Sequence, residues 1–145
     1  MHVPNNVFED VLNPVALGPA DVWLQRNTTI GKAPATTAGL LHWNGRRWSR
    51  VTLPAGTTFV DSMTEDGHGG LWLAAVGPKP NYPSYIYHLN GKWTRHSVPA
   101  VKGTNVGGVT ELSWIPGTRS VWATADMLQR GINGEVIGAI LKHAG

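Results

Sequence analysis

The 145-residue sequence contains no cysteine, which excludes a disulfide scaffold, a thiol nucleophile and any thiolate metal site or iron–sulfur cluster. Charge is scarce as well: Asp, Glu, Lys and Arg supply 14% of the residues against a usual ~25%, which argues against a solvated coiled coil or a charge-driven disordered tail. No apolar run approaches the about 20 residues that a bilayer-spanning helix needs, so no membrane span is expected. Nor does any stretch sustain a helical apolar period with caps, so helix content is expected near zero. Met1-His2-Val3-Pro4 is not a basic region leading into an apolar one, and no secretory signal stands in the sequence as written. Gly-x-Ser-x-Gly, P-loop, His-Glu-x-x-His and dinucleotide fingerprints are all missing, and no cofactor is implied.

What is present describes a packed domain. Hydrophobic residues make up 41% of the chain, with 18 Gly, 10 Pro and 7 Trp, and the length suits one domain over 1–145. Twelve Lys and Arg against nine Asp and Glu give a net charge of +3. The basic residues are spread from Arg26 to Lys142, and only Arg46-Arg47 with Arg50 forms a local cluster. A duplex-binding protein concentrates its charge on one helix or stripe, so nucleic acid is not an expected partner.

Internal repetition organises the chain. The tetrads Asp21-Val22-Trp23-Leu24, Gly70-Leu71-Trp72-Leu73 and Ser120-Val121-Trp122-Ala123 place their Trp residues 49 and 50 apart. An aliphatic stretch ending in His42, His88 or His143 follows each tetrad. In the first two units Asn44-Gly45 and Asn90-Gly91 then precede a second Trp, Trp48 and Trp93. Order and spacing recur together, which chance similarity would not preserve.

Each unit reads as four strands. Asn-Gly between β-formers is a strong hairpin signal, because a type I′ turn needs positive φ at both central residues. The hairpin arms are a third strand (40–43; 85–89) and a fourth (47–53; 93–98). The Trp tetrad is the second strand, and the first precedes it at 12–17, 59–64 and 109–115. Gly-, Pro- and Asp-rich turns separate first from second, as in Asp66-Gly67-His68-Gly69-Gly70. Four-stranded antiparallel units at this period are the signature of a β-propeller, here with units at about 5–54, 55–99 and 100–145, the last incomplete. Trp23, Trp72 and Trp122 are expected to pack between successive units, because one unit alone cannot bury both its faces.

Val121-Trp122-Ala123 and the hairpin Leu40-Leu41-His42-Trp43-Asn44-Gly45-Arg46-Arg47-Trp48 resemble the Trp-rich propeller repeats of bacterial extracytoplasmic proteins, similar to the kelch-like and WD40-like propellers and the galactose-oxidase central domain. The stretch Glu65-Asp66-Gly67-His68-Gly69-Gly70-Leu71-Trp72 resembles the Asp-Gly-x-Gly-x-Leu-Trp turn of two-component-regulator propellers and, more distantly, the sialidase Asp-box. The resemblance implies a propeller and a secreted or cell-surface setting. It says nothing of activity, since propellers host unrelated functions.

A closed ring takes about four to eight blades. The missing blades are expected from the rest of a longer polypeptide, because His2-Val3-Pro4 is too short to complete the third unit of another copy, with self-association as the alternative. Because strands alternate in direction, the connections between second and third strands share one face, and they are the long ones (26–38, 77–84, 126–137). Insertions gathered on one face of a repeat protein mark a binding face. There the Pro-stiffened segment from Gly77 to Pro83 presents Lys79, Asn81 and Tyr82. Asp66 and His68 are a candidate cation or proton site, although Asp in such a turn often closes on its own backbone. His42, His88 and His143 share one repeat position, so they read as packing residues on separate sheets rather than as a metal triad. Asp61 and Glu111 fall at matching places in the first strand and could face a central channel, with Pro14 breaking the pattern in unit one. The leading expectation is a non-catalytic scaffold that binds a protein or glycan through its long-loop face. The alternatives are a carbohydrate-active propeller enzyme using Asp61 and Glu111, or the sensor propeller of a signalling receptor.

Overall fold

In the computed structural model, which describes residues 7–30, 35–78, 83–129 and 136–143, every regular element is a strand. The strands are β1 (Val7–Gly18), β2 (Asp21–Ile30), β3 (Ala35–Trp43), β4 (Trp48–Val51), β5 (Phe59–Glu65), β6 (Leu71–Val76), β7 (Ser84–Asn90), β8 (Lys92–Ser97), β9 (Thr104–Trp114), β10 (Val121–Gln129) and β11 (Val136–His143). They form three antiparallel up-and-down sheets, β1-β2-β3-β4, β5-β6-β7-β8 and β9-β10-β11. We call them the first, second and third sheets.

The sheets stack in sequence order through two apolar layers. Trp23 and Leu40 of the first sheet pack with Leu71, Leu73, Ala75 and Tyr87 of the second. On the opposite face of the second sheet, Trp72, Ala74 and Ile86 pack with Val121, Ala123, Ala125 and Met127 of the third. Burial on both faces explains why β6 reads Leu-Trp-Leu-Ala-Ala-Val, an unbroken apolar run, whereas β10 alternates buried and exposed along its length.

Several expected boundaries shift. β2 and β3 continue past the Trp tetrad into a long ladder that ends at the Ile30–Ala35 pair. Most of the supposed 26–38 loop is therefore strand. The same holds for 126–137, where Leu128 pairs with Val136. β9 starts at Thr104, ahead of the expected 109, and pairs with the extended part of β10. Irregular backbone of that length would leave many amides without ladder partners, and pairing the arms satisfies them. β4 is shorter than expected, ending at Val51 ahead of the Leu53-Pro54 segment.

The Asn-Gly hairpins form with different turn chemistry. Gly45 and Gly91 have φ of 83° and 70°, but neither Asn44 nor Asn90 has positive φ, so neither turn is type I′. Asn44 instead uses its side chain: Oδ1 accepts from the Arg46 and Arg47 amides at 3.1 Å each. That Asx geometry holds Asn44 at the head of a longer turn closed by the Trp43–Trp48 pair.

The first strand of each sheet carries a bulge: at Asn13-Pro14 in β1, at Asp61 in β5 and at Thr110 in β9. Pro14 has no amide to give a ladder, and a bulge is one of the few sheet positions that tolerates it. The bulge also corrects the matching of the two acids. Ser62 pairs with Ala74 and Glu111 with Thr124, which makes Ser62 the counterpart of Glu111, and Asp61 the counterpart of Thr110.

Two further positions depart from expectation. His42 and His88 lie opposite Trp23 and Trp72, but the residue opposite Trp122 is Lys142. His143 sits one step along, opposite Val121, and faces the second sheet. Trp122 is exposed rather than in the core, since no sheet lies on its face among the described residues. Trp48 is also exposed, while Trp93 is half-buried and donates its indole N–H to the Thr52 carbonyl at 3.1 Å.

Candidate functional site

The turn from Asp66 to Gly70 is built around one buried carboxylate. Asp66 Oδ1 accepts from the His68 and Gly70 amides, both at 2.7 Å, and Oδ2 pairs with His88 Nε2 at 2.7 Å. His88 in turn stacks on Trp72, with ring centroids 4.2 Å apart and 15° between planes. Gly67 is required by contact as well as by its φ of 70°, and Gly70 by contact. A Cβ on Gly67 would lie 2.1 Å from the Trp114 ring, and one on Gly70 would strike the Asp66 carboxylate. His68 is exposed, with Nδ1 3.0 Å from the Asp66 carbonyl, so Nδ1–H donates. Burial pushes the Asp66 carboxyl up, but the His88 hydrogen bond, the two amides and the His88 charge outweigh it and hold the group below the usual carboxylate range. Its oxygens are committed to the turn and to His88, an arrangement suited to fixing structure.

The first sheet repeats the arrangement more openly. Asp21 Oδ1 accepts from Trp23 Nε1 at 2.9 Å and pairs with His42 Nε2 at 2.8 Å, and His42 stacks on Trp23 at 4.2 Å. The third sheet has Ser120 and Lys142 where the Asp21 and His42 of the first would stand, and no such cluster among the described residues.

Polar bridges stitch the first strands together across the stack. Asn13 Nδ2 donates to Gln25 Oε1 at 2.7 Å, and Gln25 Nε2, buried, donates to the Val60 carbonyl. Ser62 Oγ donates to Glu111 Oε1 at 2.8 Å and accepts from the Leu112 amide at 3.0 Å. Glu111 is thereby occupied on one oxygen while its body remains exposed. Asp61, at the bulge, is half-buried, and burial raises its carboxyl above the usual range.

At the end where the second and third strands meet, the three sheets differ in reach. From the Trp tetrad, β2 and β10 run for 10 and 9 residues and β6 for 6. The hairpins β2–β3 and β10–β11 therefore overhang the shorter middle sheet. Below the overhang the middle sheet is closed by the Gly77 amide donating to the Pro83 carbonyl at 2.8 Å, and by Thr58 Oγ1 donating to the Val76 and Gly77 carbonyls. The overhanging part of the third sheet exposes Leu128, Val136 and Ile137. Lys79, Asn81 and Tyr82 lie outside the described residues.

One cluster escaped the sequence reading. His96 of β8 and His143 of β11 meet between the second and third sheets, with ring centroids 4.5 Å apart and each 5.3 Å from the Trp72 ring. Among the described residues, His96 Nε2, His143 Nε2 and Trp72 Nε1 are buried without a hydrogen-bond partner. Burial, first, and then the neighbouring histidines push both His96 and His143 below the usual imidazole range. Counting down the β7–β8 ladder from Asn90-Gly91 would have set His96 opposite Ile86 on the Trp72 face. His143 could not be found that way, because its facing depends on a one-residue register difference from His42 and His88. No group of three or more His, Cys, Asp or Glu converges on a metal-sized site among the described residues. No protein-family model, curated protein or solved structure matches the chain.

Proposed function

We propose that the chain is part of a β-propeller acting outside the cytoplasm as a non-catalytic scaffold, and that it binds a protein or glycan at the end formed by the β2–β3 and β10–β11 hairpins. The observation that carries the proposal is the unequal reach of the sheets at that end. Two ladders overhang a shorter middle one, and the overhang carries exposed apolar side chains at Leu128, Val136 and Ile137. Loops and hairpin tips on a rigid scaffold can be varied without disturbing the core, which is why recognition concentrates there. The stacked up-and-down sheets and the Trp-marked period support the propeller reading.

The test uses arrays of immobilised glycans and peptides probed with the whole chain, and with a variant in which both hairpin tips are replaced by short Asn-Gly turns. Binding by the intact chain that is lost in the trimmed, still folded variant is the expected result. Binding that survives trimming overturns the proposed end.

Asp61, half-buried at the β5 bulge with its carboxyl raised by burial, favours a second reading, a carbohydrate-active enzyme, because burial shifts a carboxyl in the direction a general acid requires. Release of reducing sugar that disappears in Asp61→Asn would establish it in place of the scaffold.

A further inference from the structure

The repeat supplies an internal control on burial. Trp23 and Trp72 are 9% and 0% exposed, and their counterpart Trp122 is 46% exposed. Leu40 and Ile86, opposite Gln25 and Ala74, are 1% and 3% exposed. Ile140, opposite Thr124 at the same ladder position, is 75% exposed. In the first two sheets this face is covered by the next sheet in the chain, through the residues that follow the pattern of Leu71 and Leu73 or Val121 and Ala123. The third sheet therefore displays a face whose two internal equivalents both take the same kind of cover.

A matching cover exists elsewhere in the chain, and among the described residues no sheet lies on it. Val22 and Leu24 of β2 are the counterparts of Leu71 and Leu73, and they point away from the second sheet together with Leu41 and Trp43 across the β2–β3 ladder. All four are only half-buried, whereas Leu71 and Leu73 are fully buried by the first sheet.

We infer that the Trp122–Ile140 face of the third sheet is an interface for the Val22–Leu24 face of the first sheet of a second copy of this chain. The contact is head-to-tail and repeats the geometry of the two internal junctions. Two copies joined at both faces contribute six sheets, within the about four to eight that close a ring. The inference rests on the propeller reading for ring closure, but the contact itself rests only on the burial differences.

Light scattering coupled to gel filtration tests the association. The intact chain is expected at about twice its 15.6 kDa mass, and Trp122→Glu with Ile140→Glu is expected to run as a monomer with an unchanged far-ultraviolet spectrum. An intact chain that stays monomeric at about 100 µM overturns the inference, since a specific contact with a Kd in the micromolar range is populated at that concentration. A dimer unaffected by the two substitutions overturns it equally.

The absence of native cysteine makes the pairing of faces directly readable. Ala74 and Ala123 belong to one apolar layer, and their counterparts are Thr124 and Leu24. Chains carrying Thr124→Cys and Leu24→Cys should cross-link when mixed and oxidised, and each variant alone should not. Cross-linking of either variant with itself means a face-to-itself contact and overturns the head-to-tail arrangement. The array-binding readout stays independent: a monomeric Trp122→Glu/Ile140→Glu chain that still binds leaves the hairpin reading standing, and hairpin trimming should leave the dimer intact.

Discussion

A single carboxylate, Asp66, accepts from two backbone amides and pairs with one imidazole within 2.7 Å each, and every donor would be stranded by its removal. Asp66→Asn keeps one oxygen for the amides but presents an NH2 group where His88 needs an acceptor. It should lower stability by about 1–3 kcal/mol, read from the urea midpoint. The depressed carboxyl also fixes a sign for pH dependence. Its contribution is present above the unfolded value of about 3.9 and is lost as pH falls through the folded value, so the variant's stability should be flatter with pH in that acid range. His96 and His143 act at milder pH. Burial disfavours the charged form of both, so they leave stability independent of pH above the unfolded value of about 6.5 and lower it increasingly as pH drops below that. Replacing both by Gln should remove part of the stability lost between about pH 6.5 and 5, as followed by denaturant midpoints at each pH.

At the scale of the element, turns discriminate among glycines that look alike in sequence. Gly91 has φ of 70° with open space around its missing Cβ, so Gly91→Ala carries only the left-handed cost, about 1–2 kcal/mol. Gly67 has the same φ, but its Cβ would enter the Trp114 indole, whose N–H is fixed to the Thr118 carbonyl at 2.7 Å. Gly67→Ala should therefore lower the melting temperature by distinctly more than Gly91→Ala, for which about 3–8 °C is expected. The hairpins themselves were legible from Asn-Gly and the flanking β-formers. The turn type was not, because Asn44 satisfies two amides with its side chain and so avoids positive φ. The reach of β2–β3 and β10–β11 was also hidden, since the segments beyond the Trp tetrads lack a clear apolar alternation and become strand only because a partner arm lies alongside.

For the whole molecule, equal sequence positions carry unequal energies. Trp72 is sealed between two sheets, and Trp72→Ala should cost about 3–5 kcal/mol in denaturant unfolding. Trp122→Ala at the same repeat position should cost under about 1 kcal/mol when unfolding is measured on dilute monomer. The comparison checks that burial by a neighbouring sheet, and not the Trp-bearing strand motif, supplies the stabilisation. Polar bridges such as Gln25 to Val60 and Ser62 to Glu111 then set how the sheets register on one another.

The sequence alone determined the all-β class, the division into strand-turn-strand units and the hairpin positions, because these follow from local patterning and turn chemistry. Only the tertiary structure decided which of three equivalent Trp residues is covered, that His143 faces opposite to His42 and His88, and that the bulges align Asp61 with Thr110 rather than with Glu111. Each of these depends on a one-residue register step or on the presence of a neighbouring sheet. A strand's side chains change face with every residue, so local pattern cannot fix either.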